Sequence, residues 1–127
     1  MSSSKPITPI KLEPNESSYP GQYPAEMVPE GQSYNGSWTE TILYRASDSR
    51  FSARLWESEP GVLQSDNYPH DEFCLVSEGE LVVTNRADGT TVTYGPGDTF
   101  VIPAGWNGIW DMRTRFRKLY VVLAPFD

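Results

Sequence analysis

The titratable side chains whose spacing can do chemistry are concentrated in YPHDEFCLVSEGELVV, residues 68–83. The stretch holds the only histidine of the chain, His70, two residues before Glu72. Successive side chains of a strand point to opposite faces. An unbroken strand would therefore put Asp66, Tyr68, His70 and Glu72 on one face, offering two carboxylates, a phenol and an imidazole. Asp66, His70 and Glu72 make the nearest approach to a divalent-metal set, because an open catalytic site needs three protein ligands. Two features oppose it. Pro69 interrupts the run and breaks or kinks a ladder. A lone imidazole is also a poor basis for a tight transition-metal site. The other reading of His70 is a rim residue at the mouth of a pocket. Cys74 is the single cysteine. It lies in an alternating apolar run and reads as an inert core thiol, and a nucleophilic role would have to use His70 as base.

The elements that must position these groups are strands. From Trp38 onward the chain reads as short β-rich runs: TETILYR, FSARLWES, EFCLVSE, ELVVTN, TTVTY, DTFVIP, NGIWDM and RKLYVVL. Turn signals separate them: SDS, EPG, SEGE, RADG and GPGD. Many short strands at near-regular spacing predict an all-β sandwich or barrel. Pro60, Pro69, Pro96 and Pro103 fall at run boundaries, where a missing N–H does least harm. Residues 1–37 differ in texture. They are rich in Pro, Ser, Glu and Gly and follow neither the strand nor the helix period, so an extended N-terminal arm is expected there. The barrel domain is expected over 38–127. The arm still carries Ile7, Ile10, Leu12, Tyr19, Tyr23 and Met27, which suit packing along the barrel or across a partner subunit.

The 127 residues carry a formal net charge of −7. A negative chain repels phosphate, so neither nucleic acid nor an anionic membrane is an expected partner. The basic run MRTRFRK, residues 112–118, reads as a solvated strand face. Its alternative is an arginine that holds a small carboxylate ligand. No apolar stretch reaches membrane-spanning length, and MSSSKPITPI lacks the apolar core of a secretory signal. The expectation is a soluble, cytoplasmic protein. A homodimer is expected, because the apolar arm has no core of its own and open sheet edges need covering.

The segments EFCLVSEGELVV and YGPGDTFVIPAG resemble the two motifs of the cupin superfamily. Together with LWESEPG and FVIPAGWNGIWD they resemble the small single-domain cupins related to ureidoglycine aminohydrolase and to the cupin of ethanolamine-utilisation operons. The likeness runs over about residues 38–125. It implies an all-β, double-stranded β-helix (jelly-roll) barrel. In such barrels three histidines and a glutamate meet on a divalent metal, while the motif glycines and proline set the turns. Laid on that pattern, Glu72 holds the glutamate position. With three intervening residues the histidine positions fall on Asp66 and Tyr68, and with four on Ser65 and Asn67. The last histidine position is Gly108, which has no side chain. The resemblance thus implies a degenerate metal site with one ligand kept and no cofactor.

If Gly108 faces inward, so do Trp110 and Met112 by parity. The candidate pocket is then lined by Asp66, Tyr68, His70, Glu72, Cys74, Trp110 and Met112. Burial would raise the pKa of Glu72 unless a partner offsets it. Glu72 is either an acid, base or amine-binding group, or a structural acceptor for Tyr68 or Trp110. Three functions follow. The first is a metal-independent cupin binding a small molecule, by family analogy a small nitrogen compound or organic acid. The second is an enzyme acting on such a compound with a metal held by Asp66, His70 and Glu72. The third is a packed-shut structural cupin, which an absence of any cavity beside Glu72 would favour.

Overall fold

The structure, a computed structural model, describes residues 6–13, 18–21, 25–30 and 38–124. The rest of the expected arm and residues 125–127 lie outside the described residues. The described chain is all-β apart from one 3-10 turn, η1 (Ala25–Met27). The strands are β1 (Ser18–Gly21), β2 (Trp38–Arg45), β3 (Phe51–Ser58), β4 (Gly61–Ser65), β5 (Asp71–Glu78), β6 (Leu81–Asn85), β7 (Thr91–Tyr94), β8 (Thr99–Ile102), β9 (Gly108–Met112) and β10 (Phe116–Leu123). They form two antiparallel sheets, ordered β1-β2-β3-β10-β5-β8 and β4-β9-β6-β7. Every β-rich run read from the sequence is a strand. Two strands were not foreseen. GVLQS of β4 is short and does not alternate. SYPG of β1 contains Pro20, which a strand at the sheet edge tolerates.

The sheets are not closed into the barrel that was expected; no ladder joins them among the described residues. The turns explain why. After β3 the chain changes sheet at residues 59–60, 66–70, 79–80, 95–98, 103–107 and 113–115. Pro60, Pro69, Pro96 and Pro103 sit in four of these six crossings. Each lacks the N–H that would carry a ladder around the corner. What remains is a sandwich with one shared core. Trp56, Cys74, Val76, Ile102, Phe116 and Tyr120 of the larger sheet pack with Leu63, Leu81, Val83, Trp110 and Met112 of the smaller. Phe116 meets Trp110 edge-on across the gap, ring centroids 5.8 Å apart.

The motif glycines serve the crossings. Gly79 has φ +94°, and a Cβ there would stand 2.2 Å from the carbonyl oxygen of Arg115. Gly97, at φ +92°, donates its N–H to Val76 O at 2.8 Å. Gly79→Ala should therefore lower stability by roughly 3 kcal/mol, from the backbone conformation plus the clash. Gly89→Ala, at φ +73° with open space around it, should cost only about 1 kcal/mol. Urea-unfolding midpoints of the two variants check the contrast.

Candidate functional site

Glu72 lies in the middle of the sandwich, 2 % exposed. The alternation of β5 sends Glu72, Cys74 and Val76 inward and leaves Asp71 and Phe73 exposed. On the neighbouring strand the same alternation sends Phe116, Lys118, Tyr120 and Val122 inward. Lys118 is 6 % exposed, and its Nζ donates to Glu72 Oε2 at 2.5 Å. Three rings surround that ammonium, with centroids at 5.2 Å for Trp56, 4.6 Å for Trp110 and 4.5 Å for Tyr120. Burying an ion costs several kcal/mol. Each ring face returns about 0.5–2 kcal/mol, but a ring face gives the ammonium no conventional acceptor, which the carboxylate supplies. The pair is thus mutually required. Lys118 belongs to the basic run read as a solvated face, which is corrected here. Met112, Phe116 and Lys118 face the core, while Thr114 and the arginines of the run face outward. Those arginines are matched in the chain, Arg113 with Asp111, Arg115 with Glu57 and Glu59, and Arg117 with Glu57.

The remaining bonds to Glu72 fill its lone pairs. The Tyr68 hydroxyl donates to Oε1 at 2.6 Å and the Cys74 thiol to Oε2 at 3.0 Å. His70 Nε2 stands 3.5 Å from Oε1. Burial alone would raise the pKa of Glu72. The Lys118 ammonium, joined by the bonds from His70, Cys74 and Lys118, outweighs it and holds the carboxyl well below the usual range. Burial would likewise discharge Lys118, yet Glu72 holds it above the ordinary lysine value. Burial pushes the Cys74 thiol and the Tyr68 phenol up, against the pull of Lys118. Both therefore stay protonated and donate.

The structure brings together Tyr68, His70, Glu72 and Cys74, and adds Trp110 through its face on Lys118. Asp66 does not join them. Residues 66–70 form a crossing rather than a strand, and Asp66 is turned outward into an ion pair with Arg86. Met112 and Cys74 are core residues that line neither cavity described below. Gly108 leaves no vacancy, because a Cβ there would meet Trp106 Cζ2 at 2.2 Å and Thr84 O at 2.3 Å. The Trp106 indole is anchored through Nε1 to Asn85 Oδ1 at 2.8 Å. A histidine at position 108 would collide with it. Among the described residues no group of three or more His, Cys, Asp and Glu side chains could hold a metal ion. The set Asp66, His70 and Glu72 does not fit one. Asp66 is directed away, and both oxygens of Glu72 are already engaged.

Two cavities flank the pair. A cleft of about 330 Å³ is lined by Trp38, Glu40, Ser52, Arg54, His70, Glu72 and Lys118, among others. A smaller cavity of about 60 Å³ is lined by Met27, Trp56, Leu63, Tyr68, Trp106 and Trp110. The four tryptophans of the chain thus all line one or the other. Arg54 pairs with Glu40 at 3.0 Å, and Glu40 also accepts from the Tyr19 hydroxyl of β1.

Two antiparallel sheets whose facing strands carry these glycine turns and a central glutamate define a cupin. The chain belongs to the family of EutQ-like cupin domains, whose model matches residues 45–120. The fold is shared with solved structures. A protein assigned to ethanolamine utilization (EutQ) from Salmonella typhimurium LT2 is 28% identical, with a TM-score of 0.59 over 68% of this chain and 69% of that one. EutQ of Clostridium difficile is 21% identical, with a TM-score of 0.61 over 71% and 70%. A protein of unknown function from Pseudomonas syringae pv. tomato DC3000 is 21% identical, with a TM-score of 0.74 over 87% of this chain and 46% of that one. Among curated proteins none matches this chain.

The pair should be visible in the pH dependence of stability. A lowered Glu72 pKa gives stability that is complete above the ordinary carboxylate range and lost as pH falls through and below it. A raised Lys118 pKa gives stability that is complete below about pH 10 and lost above it. Lys118→Met should cost about 3–5 kcal/mol at pH 7, because it strands a buried carboxylate. Adding Glu72→Gln to it should recover most of that loss. The double variant should also lose less stability than the wild type between about pH 5 and pH 3. Chemical denaturation across pH measures all three.

Proposed function

We propose that this protein is a small-molecule-binding cupin whose binding cleft works without a metal, with a lysine ammonium supplying the cation beside the central glutamate. The observation that carries this reading is the Lys118–Glu72 contact at 2.5 Å. It commits the one carboxylate that the metal-binding pattern would use. The cleft beside it has a volume of about 330 Å³, within the range of roughly 300–1,000 Å³ usual for ligand sites. That volume counts against a packed-shut structural cupin. Its wall carries two ion pairs, Arg54–Glu40 and Lys118–Glu72, with His70, Ser52 and aromatic rings between. Donors and acceptors of both signs suit a small polar ligand, such as an organic acid or a small nitrogen compound. The ethanolamine utilization named for the Salmonella relative makes ethanolamine the first nitrogen compound to test.

Because all four tryptophans line the two cavities, intrinsic fluorescence reports on occupancy. Protein purified without nickel resin should carry substoichiometric transition metal by elemental analysis. A panel of ethanolamine, small carboxylates and small amides should contain a compound that raises the melting temperature and changes tryptophan emission, equally with and without chelator. Arg54→Met, at the cleft wall, should weaken that binding at least tenfold. One equivalent of bound metal whose removal abolishes binding would replace this reading with the metal-enzyme one.

A further inference from the structure

We propose that the larger cleft takes a small organic acid, with its carboxylate seated on Arg54, Ser52 and Tyr120. The inference rests on the reading of that cleft as a ligand site that works without a metal. The register of the larger sheet brings the three residues together. Ser52, Arg54 and Trp56 alternate onto the inner face of β3. Arg54 stands opposite Tyr120 of β10, and side chains paired in this way have Cβ atoms about 4.5–5.5 Å apart. Lys118 takes the next inward position along β10, opposite Trp56. All of these residues line the cleft.

Charge alone does not choose between an acid and an amine. The wall pairs Arg54 with Glu40 and Lys118 with Glu72, one cation for each carboxylate. The hydrogen bonds left open do choose. Glu72 accepts through both oxygens, from Tyr68 at Oε1 and from Cys74 and Lys118 at Oε2. Glu40 accepts from Arg54 and Tyr19, both at Oε2, and keeps only Oε1 open among the described residues. The donors are less committed. A guanidinium has five N–H bonds. Arg54 gives one from Nε to Ser52 Oγ and one from Nη1 to Glu40 Oε2, each at 3.0 Å. Its Nη2 has no acceptor among the described residues, and neither has the hydroxyl hydrogen of Ser52 or of Tyr120. Open donors thus outnumber open acceptors. A carboxylate accepts about four hydrogen bonds and donates none, so it answers that surplus. An ammonium would bring three more donors to a wall with one open carboxylate oxygen.

Arg54 is also set in place before a ligand arrives. Glu40 and Ser52 fix two of its nitrogens, and Tyr19 of β1 donates to Glu40. A guanidinium held in this way loses less side-chain freedom on binding, and its bonds to a carboxylate are of the strong, charge-assisted kind. Trp38 and Trp56 line the same cleft and supply apolar surface for the rest of the acid.

Tryptophan-fluorescence titrations of the full chain in EDTA test this, with glycolate, lactate and propanoate as probes. Each runs beside its primary amide, and ethanolamine runs beside glycolate as the amine of similar size. At least one acid should bind about tenfold more tightly than its amide. Tyr120→Phe should weaken that acid about tenfold. It should leave the melting temperature of the ligand-free protein unchanged, because the hydroxyl has no acceptor among the described residues to lose. Arg54→Lys keeps the charge but not the planar fork and should weaken the acid at least as much. Tyr120→Phe decides alone if Arg54→Lys does not fold. An amide or ethanolamine that binds as tightly as the acids overturns this inference and leaves the metal-free cleft standing. Binding that appears only when a divalent metal replaces EDTA overturns both. Affinity for the acid that survives Tyr120→Phe overturns the inference, and so does a failure of all three acids to bind.

Discussion

A carboxylate buried in a β-sandwich needs a cation, and the identity of that cation decides much about the rest of this protein. Glu72 is ionised at the centre of the core because Lys118 stands against it. The position of Lys118 is fixed by the pairing of β5 with β10, which brings Lys118 opposite Val76 and Tyr120 opposite Cys74. Both strands must keep their parity for the two charges to meet, since a slip of one residue would turn one of them outward. The ion pair therefore pins the register of the two central strands of the larger sheet as well as shaping the site. Trp56, Trp110 and Tyr120 then have a second role beyond packing, because their faces are part of the ammonium's surroundings.

An ammonium and a metal ion solve the same charge problem with different consequences. A metal demands several convergent ligands and holds an open position for a reacting oxygen. An ammonium demands acceptors and ring faces and has only hydrogen bonds to offer. The residues around Glu72 match the second list. Tyr68 and Cys74 donate, His70 stands at the rim, and Trp106 fills the space where position 108 would have carried a side chain. His70, the one imidazole of the chain, lines the cleft beside the pair. Lys118 is held protonated and Glu72 ionised across the neutral range, so neither exchanges a proton there.

The fold was legible in the sequence because its signals are local. Alternating runs and turn residues mark eight of the ten strands, and glycines such as Gly79 and Gly97 hold conformations that other residues rarely adopt. These turn positions serve the backbone, whatever side chains stand at the motif's ligand positions. Closure was over-read, since prolines at four of the six crossings stop the ladders that a barrel would continue. The site was legible only by half. The hydrogen bond from Tyr68 to Glu72 was one of the alternatives offered by the sequence, but it reaches Glu72 from a crossing and not along a shared strand face, and Lys118 was hidden in MRTRFRK. A charge among charges reads as surface. The available signal was the alternation of Phe116, Lys118, Tyr120 and Val122, three apolar residues on one face with a single lysine among them. An inward lysine in such a row calls for a buried acid, and Glu72 was the unmatched one.

The arm joins the site to the periphery. Tyr19 of β1 donates to Glu40, Glu40 holds Arg54, and Arg54 bonds Ser52 at 3.0 Å. That chain of contacts runs from the sheet edge into the wall of the larger cleft. On the other side Gln64 Nε2 donates to Glu26 O at 2.9 Å, next to Met27 in the wall of the smaller cavity. The smaller cavity thus takes part of its wall from Met27, which precedes the sandwich proper, while the larger cleft meets the arm only through the Tyr19–Glu40 contact. The arm cannot be treated as a tether whose sequence is free, because Tyr19 orients a cleft arginine two strands away.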